Sequence, residues 1–226
     1  MLSRVRGFAV SVAFLGIGVA GVGFAAPASA APSVVVGPGT GYVTTGNLED
    51  LTACSFAAVG YDAGGHLIGL TAGHCVLAPG LPVTLIGNPT AGPVGTTVSG
   101  HWGPDYGLIA LDPAKVIPVS SVGGVTVTDI GTAVPGTPVC KSGAATGTTC
   151  GTVVDVRGDS DIVTWVPTLW ADSGAALVSG TTLVGIASHA DTTPVLSPTV
   201  YASAAESLGR LNSRGGIGAG FRPIGS

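Results

Sequence analysis

The chain has 226 residues, 9% of them charged, with eight basic against twelve acidic side chains and a formal net charge of −4. That balance offers no positive surface to a nucleic acid or an anionic membrane, so neither is expected as a partner. Thirty-eight glycines, many Val and Thr, and few Lys or Glu favour β-strands joined by turns over helices.

Residues 1–30 read as a secretory signal peptide. Arg4 and Arg6 form its basic start, residues 8–24 an apolar run, and Ala28-Ser29-Ala30 a small-residue cleavage site. The apolar run approaches the length of a membrane span, but the Ala-x-Ala end favours cleavage over retention as an anchor. Cleavage would leave 196 residues, the size of one domain, with six basic against twelve acidic side chains. The mature chain is expected to be secreted or associated with the cell envelope, to be a monomer, and to have no membrane contact once the signal is gone.

Residues 31–48 read either as a short pro-peptide or as an ordered first strand. The runs 56–61 and 66–71 flank Asp62-Ala63-Gly64-Gly65, a hairpin signal. Further β-prone runs follow at 83–86, 94–99, 106–111, 125–130, 151–156, 161–166, 175–178 and 182–188. Strands this short and numerous predict an all-β sandwich or barrel, and their even division about residue 115 fits two small antiparallel barrels. The main domain is placed at 49–212, split near 115–122. Near its end, Ser203 followed by Glu206 forms a capping box, and Leu208 and Leu211 give an apolar edge, which together predict one helix that closes at 212–216. The glycine-rich residues 213–226 read as a flexible tail.

Four cysteines in an exported chain predict two disulfides out of three possible connectivities. Cys54 with Cys75 and Cys140 with Cys150 are favoured because each pair brackets a hairpin-like segment. Closing loops of this size stabilises by about 3 kcal/mol in the chain-entropy model. No C-x-x-C pair occurs and the four histidines are scattered, so no metal site and no cofactor is expected.

The chemistry is concentrated in three places. Thr71-Ala72-Gly73-His74-Cys75 ends a strand-like run, Asp105 begins the apolar run 106–111, and Ala171-Asp172-Ser173-Gly174 forms a small-residue turn. A serine hydroxyl becomes a nucleophile only when a base removes its proton, and an imidazole does this best when a carboxylate fixes its tautomer. His74 is the expected base, Asp105 the orienting acid and Ser173 the nucleophile. The backbone N–H groups of Ala171 and Ser173 are the expected oxyanion donors. His66, His101 and His189 lack such neighbours.

In that order and at that spacing, these motifs resemble the chymotrypsin-type serine proteases, most closely their bacterial streptogrisin-like and alpha-lytic-like branch. Asp105-Tyr106-Gly107 resembles that branch's aspartate motif, and Val139 to Gly143 with Thr149-Cys150-Gly151 resembles its second disulfide hairpin. The resemblance covers most of residues 50–210. It implies a chymotrypsin-like fold of two six-stranded-type barrels with the triad between them, and a polypeptide substrate cleaved through an acyl-enzyme on Ser173. It also implies an internal ion pair of Lys141 with Asp172, where the branch usually has arginine. Pro167 and Trp170 would line one side of the substrate pocket, and Ser188, His189 and Ala190 the other. His189 stands where the family usually has an aromatic residue, and Ala171 stands where it has glycine. If the Ala171 position needs a positive φ, its Cβ costs on the order of 1–2 kcal/mol. A catalytically silent binding module of the envelope, with an impaired oxyanion hole, is therefore the alternative reading.

Overall fold

Runs such as Gly41-Tyr42-Val43-Thr44-Thr45 alternate in burial, with Tyr42 and Thr44 turned inward, as a strand covering one face of a core requires. The computed structural model describes residues 33–45, 51–190 and 198–226. The expected signal peptide lies outside the described residues.

The first half of the chain supplies β1 (Val34–Val36), β2 (Gly41–Thr45), β3 (Leu51–Ser55), β4 (Ala58–Tyr61), β5 (Leu67–Thr71), β6 (Pro82–Leu85), β7 (Pro93–Trp102) and β8 (Asp105–Leu111), with 3-10 turns at Gly73–Cys75 and Pro89–Ala91. After the crossover come β9 (Val116–Pro118), β10 (Ser121–Val122), β11 (Val125–Thr126), β12 (Asp129–Ile130), β13 (Pro138–Gly143), β14 (Gly147–Arg157), β15 (Asp161–Thr164), β16 (Ala176–Ser179), β17 (Thr182–Ala190) and β18 (Thr199–Ser203). A helix, α1 (Ala204–Arg214), and a last short strand, β19 (Arg222–Pro223), complete the chain.

Two sheets result. In the second, the order β17-β16-β13-β14-β15-β18 closes on itself because β17 also pairs with β18, giving a six-stranded barrel. The first sheet has eight strands in the order β19-β4-β5-β8-β7-β6-β2-β3. Its strand β3 leads almost directly into β4, so the sheet curls round a core of Tyr42, Phe56, Ile68, Leu70, Leu108 and Ile109. Residues 34–36 and 41–45 are strands, β1 lying parallel to β9 and β2 pairing with β3 and β6. The run 125–130 splits between β11, which pairs with β10, and β12, which joins β17.

The helix starts where the sequence places it, but only half of the capping box forms. Ser203 Oγ accepts the Glu206 N–H at 3.3 Å, whereas the Glu206 carboxylate turns to Arg210 at 2.6 Å.

The glycine-rich segment after the helix is not the flexible tail its composition suggests. Phe221 is buried in the first core, and Arg222 and Pro223 pair with Tyr61 and Gly60 of β4. Asp62 holds the segment in place. Its carboxylate accepts the N–H groups of Gly64 at 2.9 Å, His66 at 2.8 Å and Gly218 at 2.8 Å, and His66 Nδ1 lies 2.9 Å from Oδ2. Burial pushes the Asp62 pKa up, but the bonds from Gly218 and His66 outweigh it and bring the value down to about 2 from the ordinary 3.8. A folded value below the unfolded one gives stability that is complete above about pH 4 and is lost as the pH falls towards 2. Asp62→Ala is accordingly expected to cost about 2–3 kcal/mol at pH 7, by orphaning several N–H groups at once. It should also flatten the acid dependence between pH 4 and 2, as urea titrations at several pH values would show.

Candidate active site

His74 occupies the 3-10 turn that follows β5, and several constraints fix its place. Thr71 Oγ1 donates to Ser55 C=O at 2.9 Å and lies 2.8 Å from the Tyr42 hydroxyl, pinning the end of β5. Gly73 lies against the His101 backbone, where a Cβ would collide. Cys75 is bridged to Cys54. Cys140 and Cys150 form the second bridge, across β13 and β14, so both favoured pairings occur.

Asp105 opens β8 and faces the histidine. Oδ1 accepts the His74 N–H at 3.0 Å, and Oδ2 lies 2.7 Å from His74 Nδ1. Ser188 Oγ, from β17 of the other barrel, donates to the same Oδ2 at 2.6 Å. Burial raises the Asp105 pKa, yet the hydrogen bonds and charge of His74, joined by Ser188, hold it below the usual carboxylate value. An ionised carboxylate can only accept, so Nδ1 of His74 is the donor in this contact.

Ser173 reaches this place through the backbone. Its C=O accepts the Ser55 N–H at 2.7 Å, and the Gly174 N–H donates to Ala187 C=O at 2.8 Å. Gly174 packs so closely on Thr71, Ser55 and Ala72 that no Cβ fits, and its φ is +83°. The Ser173 turn is thus docked on the end of β5, which leads into His74, and on Ser55, next to the Cys54–Cys75 bridge. Among the described residues Ser173 Oγ makes no hydrogen bond, and the turn that carries it packs on the Thr71–Ala72 segment leading into His74.

The turn before Ser173 carries the main sequence departure. Ala171 has φ +73°, the one positive φ of a non-glycine residue among those described. The Asp172 N–H donates to Leu169 C=O at 3.0 Å, the i to i+3 bond of a turn whose third residue needs that conformation. Within this turn the N–H groups of Asp172, Gly174 and Ala175 all have acceptors. Those of Ala171 and Ser173 have none among the described residues, and both residues are half-buried.

Two devices hold the turn. Asp172, fully buried, accepts the Leu169 N–H at 2.9 Å, the Ala145 N–H at 2.9 Å, the Thr146 N–H at 3.1 Å and the Thr146 hydroxyl at 2.7 Å. Lys141 Nζ lies 3.3 Å from it, also fully buried, and donates to Thr146 Oγ1 and to Gly147 C=O. Burial raises the Asp172 pKa, but the Leu169 and Thr146 bonds and the Lys141 charge together bring it below the ordinary value. The second device is Ser55. Its hydroxyl donates to Ala171 C=O at 2.8 Å and accepts the Ala144 N–H at 2.9 Å, tying the first barrel to the strained residue.

The expected pocket residues are only partly gathered here. Pro167 is exposed, and its C=O accepts the Thr149 hydroxyl at 2.8 Å. Trp170 is 88% exposed, a flat wall beside the turn. Ser188, read from sequence as a pocket wall, directs its hydroxyl at Asp105 instead. His189 is exposed, Ala190 ends β17 opposite Thr199, and residues 191–197 beyond it lie outside the described set. Sequence reading missed Ser55, Thr146 and the Ser188 hydroxyl. It also missed Trp102, whose ring is 6.2 Å from that of His74 and 77% exposed. Ser55 had a signal, since it adjoins Cys54 and so had to lie near His74 once the bridge to Cys75 was drawn. His74 also lies within 4.8 Å of the Cys54 and Cys75 sulfurs, but sulfurs joined to each other are no thiolate ligands.

No protein-family model and no curated protein sequence matches the chain. Solved structures do. Thermobifida fusca Protease A aligns with a TM-score of 0.64 at 25% identity, over 78% of this chain and 96% of that one. Cellulomonas bogoriensis chymotrypsin aligns with a TM-score of 0.63 at 27% identity, over 85% and 100%. Nocardiopsis protease aligns with a TM-score of 0.62 at 25% identity, over 79% and 97%. The chain has the chymotrypsin-like fold, and the solved structures it resembles are bacterial chymotrypsin-like serine proteases, a likeness that supports a serine-type peptidase.

Proposed function

We propose that the chain is an exported serine endopeptidase that cleaves polypeptides through an acyl-enzyme on Ser173. The observation that carries this reading is the pair of N–H groups, Ala171 and Ser173, that have no acceptor among the described residues and lie on the same turn as Ser173, which packs against the Thr71–Ala72 segment leading into His74. In this reading His74 Nε2 takes the Ser173 proton as Oγ attacks the peptide carbonyl, and the two N–H groups receive the negative oxygen. His74 then gives its proton to the leaving amine, and a water activated by the same nitrogen releases the acid. Asp105 keeps Nδ1 protonated throughout and stabilises the imidazolium.

The alternative, a silent binding module, rested on Ala171 spoiling the oxyanion hole. The positive φ of Ala171 favours the enzyme, because the alanine takes the conformation a glycine would and leaves its N–H free. Trp102, whose ring is 6.2 Å from that of His74, and Trp170, within the Leu169–Asp172 turn before Ser173, both offer exposed ring faces to a polypeptide. Export is supported by the two disulfides, which suit an oxidising compartment. Among the described residues no helix is long and apolar enough to cross a membrane.

A fluorophosphonate probe tests the reading. It should label the purified chain at Ser173 with saturating kinetics, and Ser173→Ala or His74→Ala should abolish labelling without loss of fold by circular dichroism. A folded wild-type chain that stays unlabelled would leave the silent module as the better account.

A further inference from the structure

The hydrogen-bond chain at the active site does not stop at Asp105. Ser188 Oγ lies 2.6 Å from Asp105 Oδ2 and 3.0 Å from Nδ1 of His189, an exposed imidazole on the next residue of β17. Four residues therefore form one line: His74, Asp105, Ser188 and His189. From this geometry we infer that His189 is a positioning residue for the catalytic pair, acting through Ser188 on Asp105. The inference rests on the roles given to His74, Asp105 and Ser173 above.

Proton counting gives the line a direction. Asp105, ionised, accepts from His74 Nδ1 and from Ser188, whose single hydrogen is then spent. The Ser188 oxygen keeps lone pairs, and an Nδ1–H on His189 fills one of them. Every group is satisfied only when His189 carries hydrogen on Nδ1, as the imidazolium always does. With Nδ1 bare, the ring competes with Asp105 for the one Ser188 hydrogen, and the carboxylate loses a donor. A protonated His189 thus fixes Ser188 onto Asp105, and its charge opposes a second imidazolium at His74.

The ionisable groups on the surrounding elements leave this coupling intact. Strand β17 pairs with β12, β16 and β18 and packs against β8 and α1. Asp129 on β12 uses its carboxylate on the Ile130 N–H, β16 has no ionisable side chain, and Tyr201 on β18 is fully buried with its pKa pushed up by that burial. On α1, Glu206 pairs with Arg210, and Arg214 donates to Tyr106 of β8. Asp172, on the nucleophile turn, is paired with Lys141. Among the described residues, Asp105 and His74 are the ionisable groups joined to His189 by hydrogen bonds, through Ser188.

The expected consequence is a shift in acid tolerance. Two coupled imidazoles resist simultaneous protonation, so wild type should keep His74 neutral further into acid than a chain lacking the second ring. His189→Phe and His189→Gln should each move the acid limb of fluorophosphonate labelling to higher pH by about half a unit, the effect of one screened charge at a surface. Gln guards against a packing effect of Phe, because it keeps a polar contact to Ser188 without a titrating group. NMR titration of the His74 imidazole reads the same coupling without turnover. Its midpoint should rise in both variants, even if Ser173 proves not to be a nucleophile. Acid limbs and His74 midpoints that superimpose on wild type would overturn the inference. A chain that shows the NMR shift but takes no label would instead retire the proposed reaction and leave the coupling standing.

Discussion

Replacing Lys141 by methionine is expected to destabilise the fold by roughly 3–5 kcal/mol and to slow labelling of Ser173 by at least about a hundredfold. Methionine keeps most of the buried volume, so the loss isolates the charge from any cavity. Lys141 and Asp172 are both fully buried, and their charges lie 3.3 Å apart. Without the ammonium the carboxylate keeps its bonds from Leu169, Ala145 and Thr146 but has no counter-charge in a site closed to water. It must then either take up a proton, weakening the N–H bonds that shape the turn, or swing towards solvent and carry Ser173 with it. The acid dependence follows from the same bonds. The Asp172 pKa is held down in the folded chain, so its contribution is present above the unfolded value near pH 4 and fades as the pH falls through the folded one. Urea titrations and labelling rates on Lys141→Met from pH 7 to pH 4 check both parts. Labelling unaffected at pH 7 would remove Lys141 from the machinery.

The second large effect concerns the clamp on Ala171. Ser55→Ala should leave both the Ala171 C=O and the Ala144 N–H without their partner, at a cost of about 1–3 kcal/mol. More telling is the rate. The hydroxyl grips the carbonyl of a residue whose φ of +73° disfavours a side chain, so without it the turn should relax and the Ala171 N–H should leave the oxyanion site. We expect kcat to fall about tenfold to a hundredfold with KM little changed, the pattern of an interaction made in the transition state. Ala171→Gly removes the αL penalty of about 1–2 kcal/mol, less about 0.5–1 kcal/mol for the added freedom of glycine. In the double variant it should restore much of the lost kcat. Two losses that simply multiply would mean that Ser55 acts elsewhere.

The sequence made the scaffold readable where a local rule and a tertiary demand coincide. Both disulfides, the helix start at Ser203 and the division into two barrels follow from spacing, capping and strand-length rules that packing did not override. The His74–Asp105 contact was legible from the chemistry a serine hydroxyl needs, and the Lys141–Asp172 pair through resemblance. What escaped was set by contacts between distant segments. Nothing local to Ser188 says that its hydroxyl crosses between barrels to Asp105, and nothing local to Ser55 says that it grips a residue 116 positions away. The misreading of residues 213–226 has the same root. Glycine-rich composition signals low intrinsic order, but one buried carboxylate and one buried phenylalanine supply enough interactions to seat the segment.

That seating has a bearing on how the chain acquires its shape. Strand β4 leaves the ribosome long before Arg222 and Pro223, and until they arrive its outer edge is bare and Asp62 lacks its Gly218 donor. An exposed edge strand invites pairing with the wrong molecule. Expressed alone, residues 33–120 should aggregate, and a peptide spanning 204–226 supplied in trans should rescue their solubility. Completion of the first sheet therefore waits on contacts between residues 60–62 and 218–223, a long-range closure of the kind that slows folding.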